Sequence, residues 1–110
     1  MKPHVKIIPK EPSKTARGIE DIIGCKWSLV VLDLVEQGIN RPGVMTKSVK
    51  GLSTKVLNQR LSKMLRYKIL SKKSYAEVPP RVEYFFTPYG QHFMGIIRSI
   101  QQLESQLKEK

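Results

Sequence analysis

Between Gly51 and Tyr67 the chain reads GLSTKVLNQRLSKMLRY, and this stretch restricts the fold more than any other. Leu57, Leu61 and Leu65 recur every fourth residue with Met64 beside them, so one side of a helix is apolar and must be buried. The opposite side carries Thr54, Lys55, Asn58, Gln59, Ser62 and Lys63, short polar and cationic groups able to reach phosphate oxygens and base edges. Ser53 is placed to accept a hydrogen bond from a free amide of the first turn, and Gly51 allows a sharp turn before it. Taken alone, the segment fits an ordinary amphipathic surface helix as well as a DNA-reading one.

The charge distribution separates these readings. Of a formal net charge of +11, residues 41–81 carry +10, with Glu77 as their one acid. Residues 1–14 carry +3, residues 15–40 carry −2, and residues 82–110 are neutral. A basic block on amphipathic and hairpin-like segments suits a polyanion, whereas mixed signs would serve solubility better. An anionic membrane fits less well, because the apolar side of the helix is needed for packing and no aromatic anchors accompany it.

The 110 residues predict one small domain of several helices and a hairpin, with little area to spare for a deep enzyme cleft. No apolar run approaches the roughly 20 residues needed to span a bilayer. The start, MKPHVKIIPK, lacks the apolar region of a secretory signal, and the single cysteine, Cys25, cannot form an internal disulfide. A cytoplasmic location is expected. No phosphate-binding glycine loop or zinc ligand set occurs, and His4 and His92 have no partner at a telling spacing. Neither an enzyme nor a cofactor is expected.

Residues 1–14, with prolines at positions 3, 9 and 12, read as a basic arm, with a short strand over 5–8 or phosphate contact as open alternatives. The domain proper then spans 15–110. Ala16 to Ile23 predicts a short helix closed by Gly24. Lys26 to Gln37 predicts the central core helix, with Trp27, Val30, Val31, Leu34 and Val35 on one face, ended by Gly38. Trp27 reads as a core anchor and Cys25 as a small packed residue. Asn40, Pro42 and Gly43 form a turn, and Val44 to Lys50 a helix of about two turns. A short helix, a tight turn and a capped basic helix make a helix-turn-helix.

From Ile69 the period changes. Ile69 to Val78 and Val82 to Phe86, interrupted by Pro79 and Pro80, predict a β-hairpin bearing Lys72, Lys73 and Arg81. Arg81 suits a narrow minor groove, and equally a salt bridge to Glu83 or Glu77. Thr87 caps and Pro88 begins a final helix, about 88–108. Along it Phe93, Ile96, Ile100, Leu103 and Leu107 recur at spacings of three, four, three and four, a heptad seam longer than the domain can cover. A homodimer is expected.

GCKW (Gly24 to Trp27), GLSTKVLNQRL (Gly51 to Leu61), YAEVPPRVEY (Tyr75 to Tyr84) and the Thr87 and Gly90 of FTPYG stand together in one chain. In these motifs the chain resembles the HxlR-type winged helix-turn-helix regulators of bacteria and archaea. The resemblance covers about Gly24 to Leu103 and implies a dimeric DNA-binding regulator of transcription, with recognition helices in successive major grooves and wings on flanking DNA. Relatives that sense oxidants commonly use a cysteine ahead of the first helix. That slot holds Lys14 followed by Thr15 here, so the resemblance implies no such sensor, and Cys25 stands at a position that is usually glycine. RPGVM (Arg41 to Met45) replaces the RFxEL of many relatives, so the small strand there is expected to be broken.

The fold class expected is therefore mostly α with a hairpin wing, acting on double-stranded DNA. Thr54, Lys55, Asn58 and Gln59 would read or border bases, with Ser53 and Ser62 on the same DNA-binding helix. Arg60, Lys63 and Lys47 would hold phosphates, and Lys72, Lys73 and Arg81 would serve the wing. The alternative is a sequence-neutral nucleic-acid binder, architectural or RNA-associated. RNA recognition usually displays stacking aromatics, whereas Tyr84, Phe85 and Phe86 alternate in a strand with one face in the core. A pure dimerisation adaptor would leave the central charge unexplained.

Overall fold

The computed structural model describes residues 13–108, and the readings made for residues 1–12 lie outside them. Helix α1 (Lys14–Ile23) starts two residues before the expected Ala16, because Ser13 Oγ accepts from the Ala16 N–H at 3.2 Å. Lys14, assigned to the arm on sequence, is thus the first helical residue. Helix α2 (Lys26–Glu36) buries Ser28, Val31, Leu32, Leu34 and Val35, while Trp27, Leu29 and Val30 are half-buried against the same core. Trp27 and Val30 therefore sit at the margin of the core face.

Helix α2 stops at Gly38, whose φ of +86° lets the Gly38 and Ile39 amides turn back to the Val35 and Leu34 carbonyls at 3.0 and 2.9 Å. Helix α3 (Pro42–Ser48) begins two residues earlier than Val44 and ends two before Lys50. Proline is at home in a first helical turn, where its missing N–H costs nothing, so the residue read as part of a turn starts the helix instead. Gly51, at φ +91°, then reverses the chain into α4 (Thr54–Arg66).

Leu57, Leu61 and Met64 of α4 are buried and Leu65 packs half-buried beside them, as the four-residue spacing predicts. Each fully buried side chain contributes about 1.5–3 kcal/mol. Helix α4 ends like α2, with the Lys68 and Ile69 amides donating to the Leu65 and Met64 carbonyls, both at 3.0 Å. Here the left-handed position is held by Lys68, at φ +62°.

Strands β1 (Leu70–Tyr75) and β2 (Arg81–Phe86) pair antiparallel, Leu70 opposite Phe86 and Tyr75 opposite Arg81. The hairpin is shorter on its first side than Ile69 to Val78. No third strand joins it among the described residues; one backbone hydrogen bond, from the Tyr84 N–H to the Asn40 carbonyl at 3.0 Å, stands in its place. That agrees with the break expected at RPGVM.

Helix α5 (Pro88–Lys108) is fastened to the start of β1 by Thr87 and Gly90. The Thr87 hydroxyl donates to the Lys68 carbonyl at 2.6 Å and accepts from the Gly90 N–H at 2.8 Å, and the Thr87 N–H donates to the Ile69 carbonyl at 3.0 Å. A Cβ on Gly90 would overlap the Ile69 carbonyl and lie 2.8 Å from its carbon. Only glycine permits this approach. Gly90→Ala is expected to lower unfolding free energy by about 3 kcal/mol or more, read from urea denaturation, because backbone rather than a flexible side chain must move.

Candidate nucleic-acid interface

With one face of α4 seated in the core, its helical period turns Thr54, Lys55, Asn58, Gln59 and Ser62 to solvent. Ser53 is exposed and caps the helix, its Oγ accepting from the Val56 N–H at 3.1 Å. No acidic residue stands in the first turn, so no carboxylate of that turn offsets the positive end of the helix. Lys47 on α3 is also exposed, as is Lys50 in the intervening turn, a cation the sequence reading did not select. The neighbouring Ser48 and Thr46 hydroxyls are engaged by α3's own carbonyls of Val44 and Gly43, at 2.7 and 3.1 Å.

One cation expected on phosphate, Lys63, is drawn to α1, and a second, Arg60, is not fully exposed. Lys63 is only 16% exposed, and its Nζ donates to Asp21 Oδ1 at 2.9 Å. The Tyr67 hydroxyl donates to the other carboxylate oxygen at 2.8 Å. Arg60 is half-buried, within electrostatic reach of the same carboxylate. Lys63 stands at the boundary between the dry and wet sides of α4, where an acid on a neighbouring helix can claim it. The partners lie 42 residues apart, and only the acidic balance of residues 15–40 hinted at them.

On the hairpin, Lys72 and Lys73 are exposed on opposite faces. Arg81 meets one of the two partners weighed for it: its guanidinium is 3.2 Å from Glu77 Oε1, with its central carbon 3.9 Å from the centre of the Tyr75 ring. Lys73 approaches the same ring at 5.1 Å. Arg41 pairs with Glu83 at 3.0 Å, and the Glu83 carboxyl is held low first by the Tyr75 hydroxyl and then by Arg41. Tyr75 thus organises the wing's cationic face, a role not foreseen. Of the three adjacent aromatics Tyr84 is buried, Phe86 half-buried and Phe85 exposed, the alternation expected of a strand with one face in the core.

The seam on α5 needs one correction. Phe93 is buried in its own chain's core with Met94 and Ile97, so it is not part of a free face. An apolar stripe wider than the heptad let Phe93 be grouped with the wrong side. Ile100 is half-buried, while Ile96, Leu103 and Leu107 are 43%, 62% and 76% exposed. Beyond Ile97 the helix buries no residue for another three turns.

A capped helix with its wet face outward, a buttressing short helix and a two-stranded hairpin define a winged helix-turn-helix protein. The family profile described as HxlR-like helix-turn-helix matches residues 22–110, and the chain belongs to that family. It is 33% identical over 92 residues to sll1512 of Synechocystis sp., named an uncharacterized HTH-type transcriptional regulator, covering 84% of this chain and 68% of the relative. Among solved structures it is similar to one described as a MarR-family transcriptional regulator from Enterococcus faecalis V583, with TM-score 0.75 and 27% identity over 94% of each chain. A second such structure, from Porphyromonas gingivalis W83, gives TM-score 0.67 and 32% identity over 92% of this chain and 97% of that one.

The bridge from α1 to α4 has a pH signature. The Lys63 hydrogen bond, then that of Tyr67, holds the Asp21 carboxyl below its ordinary value of 3.8. Because the folded pKa is the lower one, the stabilisation is complete above pH 3.8 and fades as pH falls through the depressed value. Asp21 is 41% exposed, which screens the pair. Asp21→Asn is expected to cost about 1 kcal/mol at pH 7, and the gap from wild type should close on acidification, as followed by denaturation at several pH values.

Proposed function

We propose that the protein is a sequence-specific regulator that binds duplex DNA as a homodimer and represses transcription by obstructing polymerase. Membership of the HxlR-like family makes it a DNA-binding transcriptional regulator by kind, and its relatives are named as regulators rather than enzymes. The observation that carries the finer reading is the solvent-facing set Thr54, Lys55, Asn58 and Gln59 at the start of α4, within a stretch of charge +10. These side chains read or border bases in the major groove, with Ser53 and Ser62 at the edges. Lys47, Lys72 and Lys73 hold phosphates, and Arg81, aligned on Tyr75, lies along the adjacent minor groove. Lys63 supports the backbone only if DNA draws it away from Asp21, and Arg60 serves it from a half-buried position.

The exposed seam of Ile96, Leu103 and Leu107, with Ile100, supports pairing of two copies through α5. Two-fold symmetry then requires an inverted repeat with half-sites about 10 bp apart, or a multiple. Action on DNA places the protein in the cytoplasm; separately, no described helix is long and apolar enough to cross a membrane.

Selection of bound duplexes followed by titration at two salt concentrations tests the division of roles. Asn58→Ala should relax preference at particular base positions by about 1–3 kcal/mol, whereas Lys73→Ala should weaken all duplexes alike and reduce the salt slope by about 1. Identical effects from both changes refute that division, and equal affinity for random duplex points to a sequence-neutral binder. Leu103→Glu with Leu107→Glu should give a folded monomer in sedimentation, with operator affinity at least about a hundredfold weaker. A dimer that survives this change is not held by the seam.

A further inference from the structure

The loop joining β1 to β2, residues 76–80, ends the wing in an apolar point. Turns draw on Gly, Asn, Asp and Ser as well as Pro, whereas Ala76, Val78, Pro79 and Pro80 carry no polar side chain. All four are exposed, and Val78, at 102%, has no packing partner within the chain. Glu77, the loop's one charged residue, is turned back to Arg81 at 3.2 Å, and its N–H donates to the Tyr75 carbonyl at 2.9 Å. The two prolines have no N–H to offer. The tip is thus poor in groups that hold a phosphate or hydrogen-bond a base edge, and rich in stiff apolar surface.

Behind this point the wing is cationic: Lys72 and Lys73 are exposed on its first strand, and Arg81 lies along the Tyr75 ring. An apolar end on a cationic arm matches a ligand that is anionic outside and apolar within. Duplex DNA, with phosphates around stacked base pairs, is such a ligand. The tip also stands beside the helix-turn-helix. An open cleft of about 540 Å³ lies between the two, lined by Pro42, Val44 and Lys47 from α3 and by Val78, Pro79 and Pro80 from the loop.

We infer that Val78 and Pro79 form a wedge that enters the minor groove beside the half-site, presses between two base pairs and bends the duplex at that step. The sugar–phosphate strand that divides the two grooves then runs through the cleft, past Lys47. Apolar side chains inserted from the minor groove partly unstack the step they meet and kink the duplex by roughly 20–90°. Pyrimidine–purine steps open most easily, so the wedge confers a sequence preference where no hydrogen bond reads a base. This rests on the DNA-binding reading and adds to it a source of specificity separate from Asn58 and Gln59 on α4.

The test uses the full chain and a duplex recovered by selection from a random library. The base analogue 2-aminopurine, whose fluorescence rises on unstacking, is placed in turn at each position flanking the half-sites, and the bend is read from the gel mobility of phased duplexes. Wild type should raise the fluorescence about twofold or more at one step per half-site and bend the duplex there by roughly 20° or more. Val78→Ser, at a side chain that packs on nothing, should keep the fold and lose the fluorescence rise and most of the bend, whereas Val78→Leu should keep both. Replacing the opened step by a stiffer purine–purine step should weaken wild type about fivefold or more and Val78→Ser less than about twofold. A bound duplex with no unstacked flanking step overturns the wedge and leaves the DNA-binding reading standing, as does a Val78→Ser complex that unstacks and bends like wild type. Failure to retain any duplex overturns that reading, and the wedge with it.

Discussion

Burial of Leu57, Leu61 and Met64 is the constraint from which the rest follows. Three large apolar side chains on one side of a thirteen-residue helix leave α4 one way to sit, and the groups at the other phase of the helix must then face water. The orientation of the polar face is thus a by-product of packing. Ser53 and Gly51 add a defined starting point, so that the exposed side chains are presented at a fixed phase as well as on a fixed side.

The frame around α4 is held by a few polar contacts at element ends. Thr87 and Gly90 bind the start of α5 to the Lys68 and Ile69 backbone just past the end of α4, so the longest helix leaves the domain at an angle set by backbone contact. Asp21 draws Lys63 and Tyr67 toward α1, which fixes the far end of α4 with charge where its start is fixed by a cap. Tyr75 does similar work on the wing, where Lys73 and Arg81 gather at its ring. In the last two cases a cation that could meet a phosphate is first given a partner within the chain. Lys47, Lys50, Lys55 and Lys72 are among the exposed cations on the helix-turn-helix and wing.

Helix α5 does two jobs with one apolar stripe. Its first half supplies Phe93, Met94 and Ile97 to the core, and its second half carries apolar residues that the same chain does not bury. Phe93 illustrates the limit of spacing as a guide: at heptad period it belongs with Ile96 and Ile100, but the core lies beside the seam, and a wide side chain at their boundary falls to whichever surface is nearer.

Local signals were enough for the elements themselves. The apolar period of α4, the Ser53 cap, the Gly38 stop and the alternation across Tyr84 to Phe86 each act within a few residues, so they can be read without knowing what packs where. The winged helix-turn-helix, its basic middle and the exposed set Thr54, Lys55, Asn58 and Gln59 were legible for that reason. Tertiary structure alone decided which cations remain available, because Lys63 and Asp21 are 42 residues apart and no local pattern encodes their meeting. It also decided the Gly90 contact with Ile69, since that depends on backbone segments brought together by the core. Periodicity tells a side chain which way to point along its own helix, and only the assembled neighbours determine what it finds there.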